Sequence, residues 1–208
     1  MSLLPLNREK LHVVRQATMA MLVALLMGCA STPGLPETTY YRLPPAAEIE
    51  PMATPVLSLP ITVEAFVADG LYSDQAIIYS LEEDASRLRT YHYQLWIDPP
   101  LRLLQRRLMS HLRSTGVSRV VTDRLPAQLE TLRVFGRIAR LERVKTSSGW
   151  EVAVSLVLRA DLSSGGKPWV IGEYHRQLPT TDDTITTSVR EFARALDQIY
   201  AEFAEAVI

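Results

Sequence analysis

The sequence has 208 residues, 22 Lys+Arg against 23 Asp+Glu, and one cysteine. That balance excludes the basic excess of a nucleic-acid binder and any polybasic patch for gripping an anionic membrane. A lone cysteine excludes an internal disulfide framework.

Arg8, Lys10 and Arg15 precede an apolar run, Ala17 to Met27, that closes on Leu26-Met27-Gly28-Cys29. A basic start, an apolar middle of about eleven residues and a small residue at the cut are the parts of a secretory signal peptide. The middle is far short of the about 20 apolar residues needed to span a bilayer as a helix. Residues 1–28 therefore read as a leader. Leu-x-Gly-Cys resembles the bacterial lipobox, in which signal peptidase II recognises Leu26, Gly28 and Cys29 and cuts before Cys29. The Cys29 sulfur would then carry a diacylglyceryl group, with palmitate-type acyl chains. The alternatives are a buried Cys in an apolar helix or a Cys that follows an ordinary signal. The layout and the absence of a second Cys favour lipidation. Each buried acyl CH₂ contributes about 0.8 kcal/mol, and stable anchoring takes two or more chains. Removing the leader leaves 180 residues with 19 bases and 22 acids, a net charge near −3, so attachment has to come from the lipid.

Residues 29–39 combine the lipidated Cys with a small, polar, Pro/Gly-containing tether. Ten such residues, extended, span about 33 Å. From residue 40 to 208 the chain reads as one domain. Tyr40-Tyr41-Arg42-Leu43 is a short strand, and Pro44, Pro45, Pro51 and Pro55 make residues 44–55 a surface crossing. Val56 to Val67 alternates as a strand, with Pro60 marking an edge or a bulge. Gln75 to Leu81 and Arg87 to Trp96 form a hairpin around Glu82-Glu83-Asp84-Ala85-Ser86. A helix follows, with Asp98 as N-cap, Pro99 in its first turn and Gly116 at its end. Leu101, Leu104, Leu108 and Leu112 fall on its apolar face, while Arg102, Arg106, Arg113 and His111 lie off that stripe. The arginines could form a phosphate or headgroup patch, but a solvated helix face is the commoner meaning.

Val117 to Thr122 is a short strand. Gln128 to Lys145, Trp150 to Leu162 and Trp169 to Leu178 form an antiparallel meander with short polar turns. Val152, Val154, Leu156 and Leu158 supply an apolar face. Its cover is a final helix, entered by the capping box Ser188-Val-Arg-Glu191. Its stripe is Val189, Phe192, Leu196, Ile199, Phe203 and Val207. The expected fold is α+β: a two-layer sandwich of about six to seven antiparallel or mixed strands with two main helices on one face.

No catalytic constellation stands out. His92, His111 and His175 lack a second ligand at metal spacing, and no Cys pair or EF-hand loop occurs. There is no Gly-x-Ser-x-Gly elbow, Walker A pattern or Gly-x-Gly-x-x-Gly. The carboxylate run at 82–84 reads as a solvated turn. The expectation is no enzyme, no metal and no cofactor beyond the acyl lipid on Cys29.

The order Tyr40-Tyr41-Arg42-Leu43, Leu59-Pro60, Gln75-Ala-Ile-Ile-Tyr79 and Trp96 before the Leu101–Leu112 helix, then the meander and last helix, resembles a known family. It is similar to the ABC-type transport auxiliary lipoproteins, the PqiC-like proteins found beside MCE-domain (mammalian cell entry) proteins. Two departures mark a divergent member: Ser80 where an Arg is expected, and Ile97-Asp98-Pro99-Pro100 where charges are expected. The resemblance implies a non-catalytic envelope subunit on the periplasmic face of the outer membrane. Its implied partners are an MCE-domain periplasmic protein and the ABC inner-membrane components that move phospholipid or another hydrophobic substrate. A homo-oligomeric ring is implied by analogy alone. Ala30 after the Cys favours the outer membrane by the usual sorting logic. An assembly lipoprotein of the outer membrane and a lipid-binding carrier remain as alternatives.

Overall fold

Val152, Val154, Leu156 and Leu158, the clearest alternation in the sequence, are all buried in a computed structural model of the chain. The structure describes residues 12–19, 21, 36–46, 50–81, 84–126 and 128–208. Residues 12–19 are helical, and no described helix is long and apolar enough to cross a membrane. Leu26, Gly28 and Cys29 lie outside the described residues, as do Glu82 and Glu83. Thr38–Ile208 forms one unit.

The strands of that unit are β1 (Thr39–Tyr41), β2 (Ile61–Val63), β3 (Val67–Ala68), β4 (Ala76–Leu81) and β5 (Asp84–Trp96). After helix α1 (Pro100–Thr115) come β6 (Val121–Thr122), β7 (Leu132–Thr146), β8 (Gly149–Leu162), β9 (Val170–Pro179) and helix α2 (Ile185–Val207). One edge of β7 is antiparallel to β8 from Leu132↔Leu162 to Thr146↔Gly149, and β9 continues the meander beyond β8. The other edge of β7 is shared in succession by three short parallel partners: β2 at Leu132–Val134, β3 at Arg137–Ile138 and β4 at Arg143–Lys145. β6 adds to β2 in parallel, while β5 adds antiparallel to β4 and β1 in parallel to β5. The fold is α+β, and among the described residues the mixed sheet has nine strands, several of only two or three residues.

Both helices bury their apolar stripes in a single core with the inner residues of β7 and β8. The α2 stripe is as the spacing predicts: Val189, Phe192, Leu196, Ile199, Phe203 and Val207 are all buried. On α1, Leu104, Leu108 and Leu112 are buried, Leu101 is half-buried, and Leu103 replaces it on the inner face. Phe66, in the link between β2 and β3, lies flat against Gly136, where an added Cβ would stand 2.3 Å from its ring.

Several local expectations are corrected. The stretch 56–67 is two separate strands, and its proline does not mark a sheet edge. Pro60 immediately precedes β2, which lies between β6 and β7 with all three residues buried. Its carbonyl accepts from Leu132 N. Pro99, not Asp98, is the α1 N-cap, with Pro in the first turn and no side-chain cap bond. Asp98 instead pairs with Arg106. Gly116 ends the helix as expected, at φ +71. The capping box is also displaced. α2 begins a turn earlier, capped by Thr184, whose side chain accepts from Thr187 N. Ser188 is fully buried inside the helix.

Candidate functional site

His92, His111 and His175 lie on three different elements. His92 sits on β5 beside Tyr93. His175 Nδ1 lies 2.9 Å from Ser155 Oγ on the outer sheet face. His111 is in the helix layer. Among the described residues no group of His, Cys, Asp and Glu could hold a metal ion. The lipid-attachment and peptidase-recognition residues Cys29, Leu26 and Gly28 are outside the described residues, so the site that can be built is one of packing and charge.

Its first part joins the two helices. Arg107 of α1 donates from Nε and Nη2 to both oxygens of Asp197 on α2, each at 2.8 Å, and its Nη1 donates to Pro44 O at 2.7 Å. This fork geometry is the strong form of an ion pair. One guanidinium thus ties α1, α2 and the proline-rich crossing together. Next to it His111 is buried, with neither ring nitrogen hydrogen-bonded. Burial pushes its imidazole below the ordinary histidine range, an effect that the Asp197 carboxylate opposes and the Arg107 cation reinforces. The buried Tyr200 meets His111 edge to face at 6.1 Å and donates to Leu104 O. Pro44, Pro45, Arg107, His111, Ala193 and Asp197 help to line an open groove of about 510 Å³ over this clamp.

The second part lies at the end of the sheet where β4, β5, β7 and β8 meet. Arg143 is 2% exposed and donates to Ser188 Oγ (2.8 Å), Tyr91 Oη (2.6 Å) and Asp183 O (2.9 Å). Its guanidinium also stacks 4.0 Å from the Trp150 ring centroid, a contact that suits a planar, weakly hydrated cation. Burial lowers its affinity for the proton, and the Tyr91 hydroxyl and Asp183 hold the charge in place. On the opposite face Glu142, also 2% exposed, accepts from Tyr72 Oη, Ser80 Oγ and Arg140. Burial and the Glu142 carboxylate raise Tyr72 far above the ordinary phenol range, so it remains a donor. Ser80 is thereby a buried partner of Glu142.

These arrangements position elements; each buried charge is spent on a structural partner. The exposed arginines of α1 behave as a solvated face in part: Arg106 pairs with Asp98, and Arg113 donates to Val121 O. Arg107, Asp197, Glu142 and Arg143 were not legible as a site. A signal for the helix pair exists: Arg107 and His111 are spaced three and seven from Leu104, and Asp197 stands four from Ala193 and three from Tyr200. That puts all three on the flanks of apolar stripes.

A family model described as "ABC-type transport auxiliary lipoprotein component" matches residues 41–204. No curated protein matches the chain. Among solved structures, a DUF330 protein from Xanthomonas campestris aligns with a TM-score of 0.66 at 17% identity, covering 79% of this chain and 92% of that one. An uncharacterized protein aligns at 0.68 and 16% identity, covering 83% of this chain and 100% of its own. At such identities the likeness is one of fold.

Proposed function

Because the chain belongs to the ABC-type transport auxiliary lipoprotein component family, we propose that it is a non-catalytic, lipid-anchored subunit of an envelope transport system. In this reading the Cys29 lipid holds the protein at the periplasmic face of the outer membrane. The folded domain docks there the conduit of an MCE-type system that carries phospholipid or another hydrophobic substrate from inner-membrane ABC components. The observation that carries the reading is the family match, which runs from β1 to the last turns of α2. The role asks for geometry more than for side-chain chemistry: an anchor, a tether and a rigid body. The fixed core and the two buried charge networks suit the third requirement.

The experiment is affinity purification of the full-length protein from its own membranes, followed by identification of what co-elutes. An MCE-domain protein and ABC components are expected in stoichiometric amounts. Recovery of outer-membrane assembly factors in their place would overturn the transport reading in favour of an assembly lipoprotein.

A further inference from the structure

β9 is an edge of the sheet. Among the described residues it pairs with β8 alone, over ten residues without a register shift. Which of its backbone groups remain open follows from parity. Thr180 N donates to Trp150 O, so Trp150 and Thr180 are a hydrogen-bonded pair, and every second pair along the register repeats it. Val170, Gly172, Tyr174, Arg176 and Leu178 therefore turn their N–H and C=O groups toward β8. Ile171, Glu173, His175 and Gln177 turn theirs away from it, and all four residues are exposed. Pro179 falls in the same outward set, where its missing N–H costs the β8 ladder nothing.

A long edge recruits further strands unless a proline, a lysine or a bulge blunts it. Between Ile171 and Gln177 β9 has none of these. Its partial guard is Arg176, whose Nη1 donates to the outward His175 O at 2.7 Å. A carbonyl oxygen has a second lone pair, so that bond leaves room for a strand neighbour. The side chains of the outward residues lie on the face of the sheet away from the helices, where Ile171 is 64% exposed. There His175 Nδ1 meets Ser155 Oγ. With Ser155 as donor, the imidazole keeps Nε2–H to give.

We propose that β9 pairs antiparallel with β9 of a second copy of this chain, about a two-fold axis at Tyr174. Only odd-numbered residues carry outward groups, so odd must meet odd and the axis must fall on a residue. An axis at Glu173 sets that carboxylate against its own copy, like charge on like. An axis at His175 opposes two imidazoles and sets Ile171 against Pro179, which has no N–H to give. Axes further out leave part of the edge without a partner. The axis at Tyr174 sets Glu173 opposite His175 twice and Ile171 opposite Gln177 twice. Every outward N–H from Ile171 to Gln177 then meets a C=O, and each His175 Nε2–H meets a carboxylate. The Gln177 amide is already held by Glu151, which leaves its methylene stem to cover Ile171. A contact of this kind is isologous and closes on itself. It does not depend on the transport reading, since its evidence lies in the edge alone.

The test is sedimentation equilibrium of the full-length protein in density-matched detergent, with folding of each variant checked by its melt. The wild type is expected to associate as a dimer. Glu173→Arg sets cation against His175 twice, and His175→Glu sets carboxylate against carboxylate twice. Each alone should weaken association by roughly tenfold or more, because the axis counts every changed pair twice. Mixed in equal amounts, the two variants should recover association. In the mixed dimer each introduced charge meets the other, and the remaining Glu173 meets the remaining His175. Glu173→Pro removes only an outward N–H and should abolish the dimer while the melt stays cooperative. A monomeric wild type overturns the proposal, including one that takes up an extended peptide in place of its copy. So does association that all three variants leave unchanged, which would put the contact on another surface. Failure of the mixture to recover what both folded parents have lost also overturns it, since the register would then be wrong.

Discussion

Arg143 is a cation held by three acceptors and an indole face, with no carboxylate bonded to it among the described residues. Arg143→Ala strands those acceptors in the interior and should cost about 3 kcal/mol, read from the denaturant midpoint at constant slope. Arg143→Lys should recover little, because a point charge cannot address three acceptors fixed by a planar fork. Nothing in the plain alternation of β7 reveals this residue. Up to Ile138 the even positions face the helices, and a register shift between Ile138 and Arg140 then moves the odd ones inward. Leu141 and Arg143 are thereby turned under α2, and Arg140 and Glu142 to the other face. A bulge costs one residue and leaves no mark in composition. His111 has a consequence in pH. Its folded-state proton affinity is held below the ordinary 6.5, so as pH falls through that value the unfolded chain binds a proton that the folded chain refuses. The stability this residue preserves is complete above about 6.5 and declines below it. The denaturation midpoint of the wild type should therefore drop more between about pH 7 and 5 than that of His111→Phe.

α2 was legible in its stripe and misread at its start. Six apolar residues at steps of three and four fix the buried face whatever the cap, because burial of that face supplies most of the helix's stability. Ser188 and Glu191 imitate a capping box, but Asp182, Thr184 and Thr187 already form a hydrogen-bonded entry upstream. Ser188 is thereby freed to accept from Arg143. Leu196, at the middle of the stripe, is fully buried. Leu196→Asp would place an unpaired charge there and is expected to abolish cooperative melting. A cooperative melt at the wild-type temperature would show that α2 does not pack as described. The short parallel strands were harder to read than the helices. Two or three residues carry no period, and β2 and β3 owe their existence to pairing with residues about seventy positions later.

For the molecule as a whole, the proposed leader and the domain make separable demands. A form in which residues 1–29 are replaced by an ordinary leader, cleaved without lipidation, should yield a folded protein that fractionates as soluble, since the proposed acyl anchor is then missing. A variant that sediments with membranes as fully as wild type would disprove the anchor. The layer architecture was legible because the β7–β8–β9 meander and both helices announce themselves locally. The path of the sheet was not, because it depends on which distant segments meet.

That path sets an order of events. β2 and β6 form one patch, and β1, β5 and β4 another; neither pairs with the other, and both reach the sheet only through β7. A chain emerging from its N-terminus must therefore carry residues 39–131 as two unjoined fragments until residues 132–146 arrive. Contacts of such sequence separation are slow to form, and apolar segments stay open meanwhile. The hairpins of the meander need no such wait. Folding should thus run against the direction of synthesis, with the C-terminal half as the template on which the earlier half is laid down.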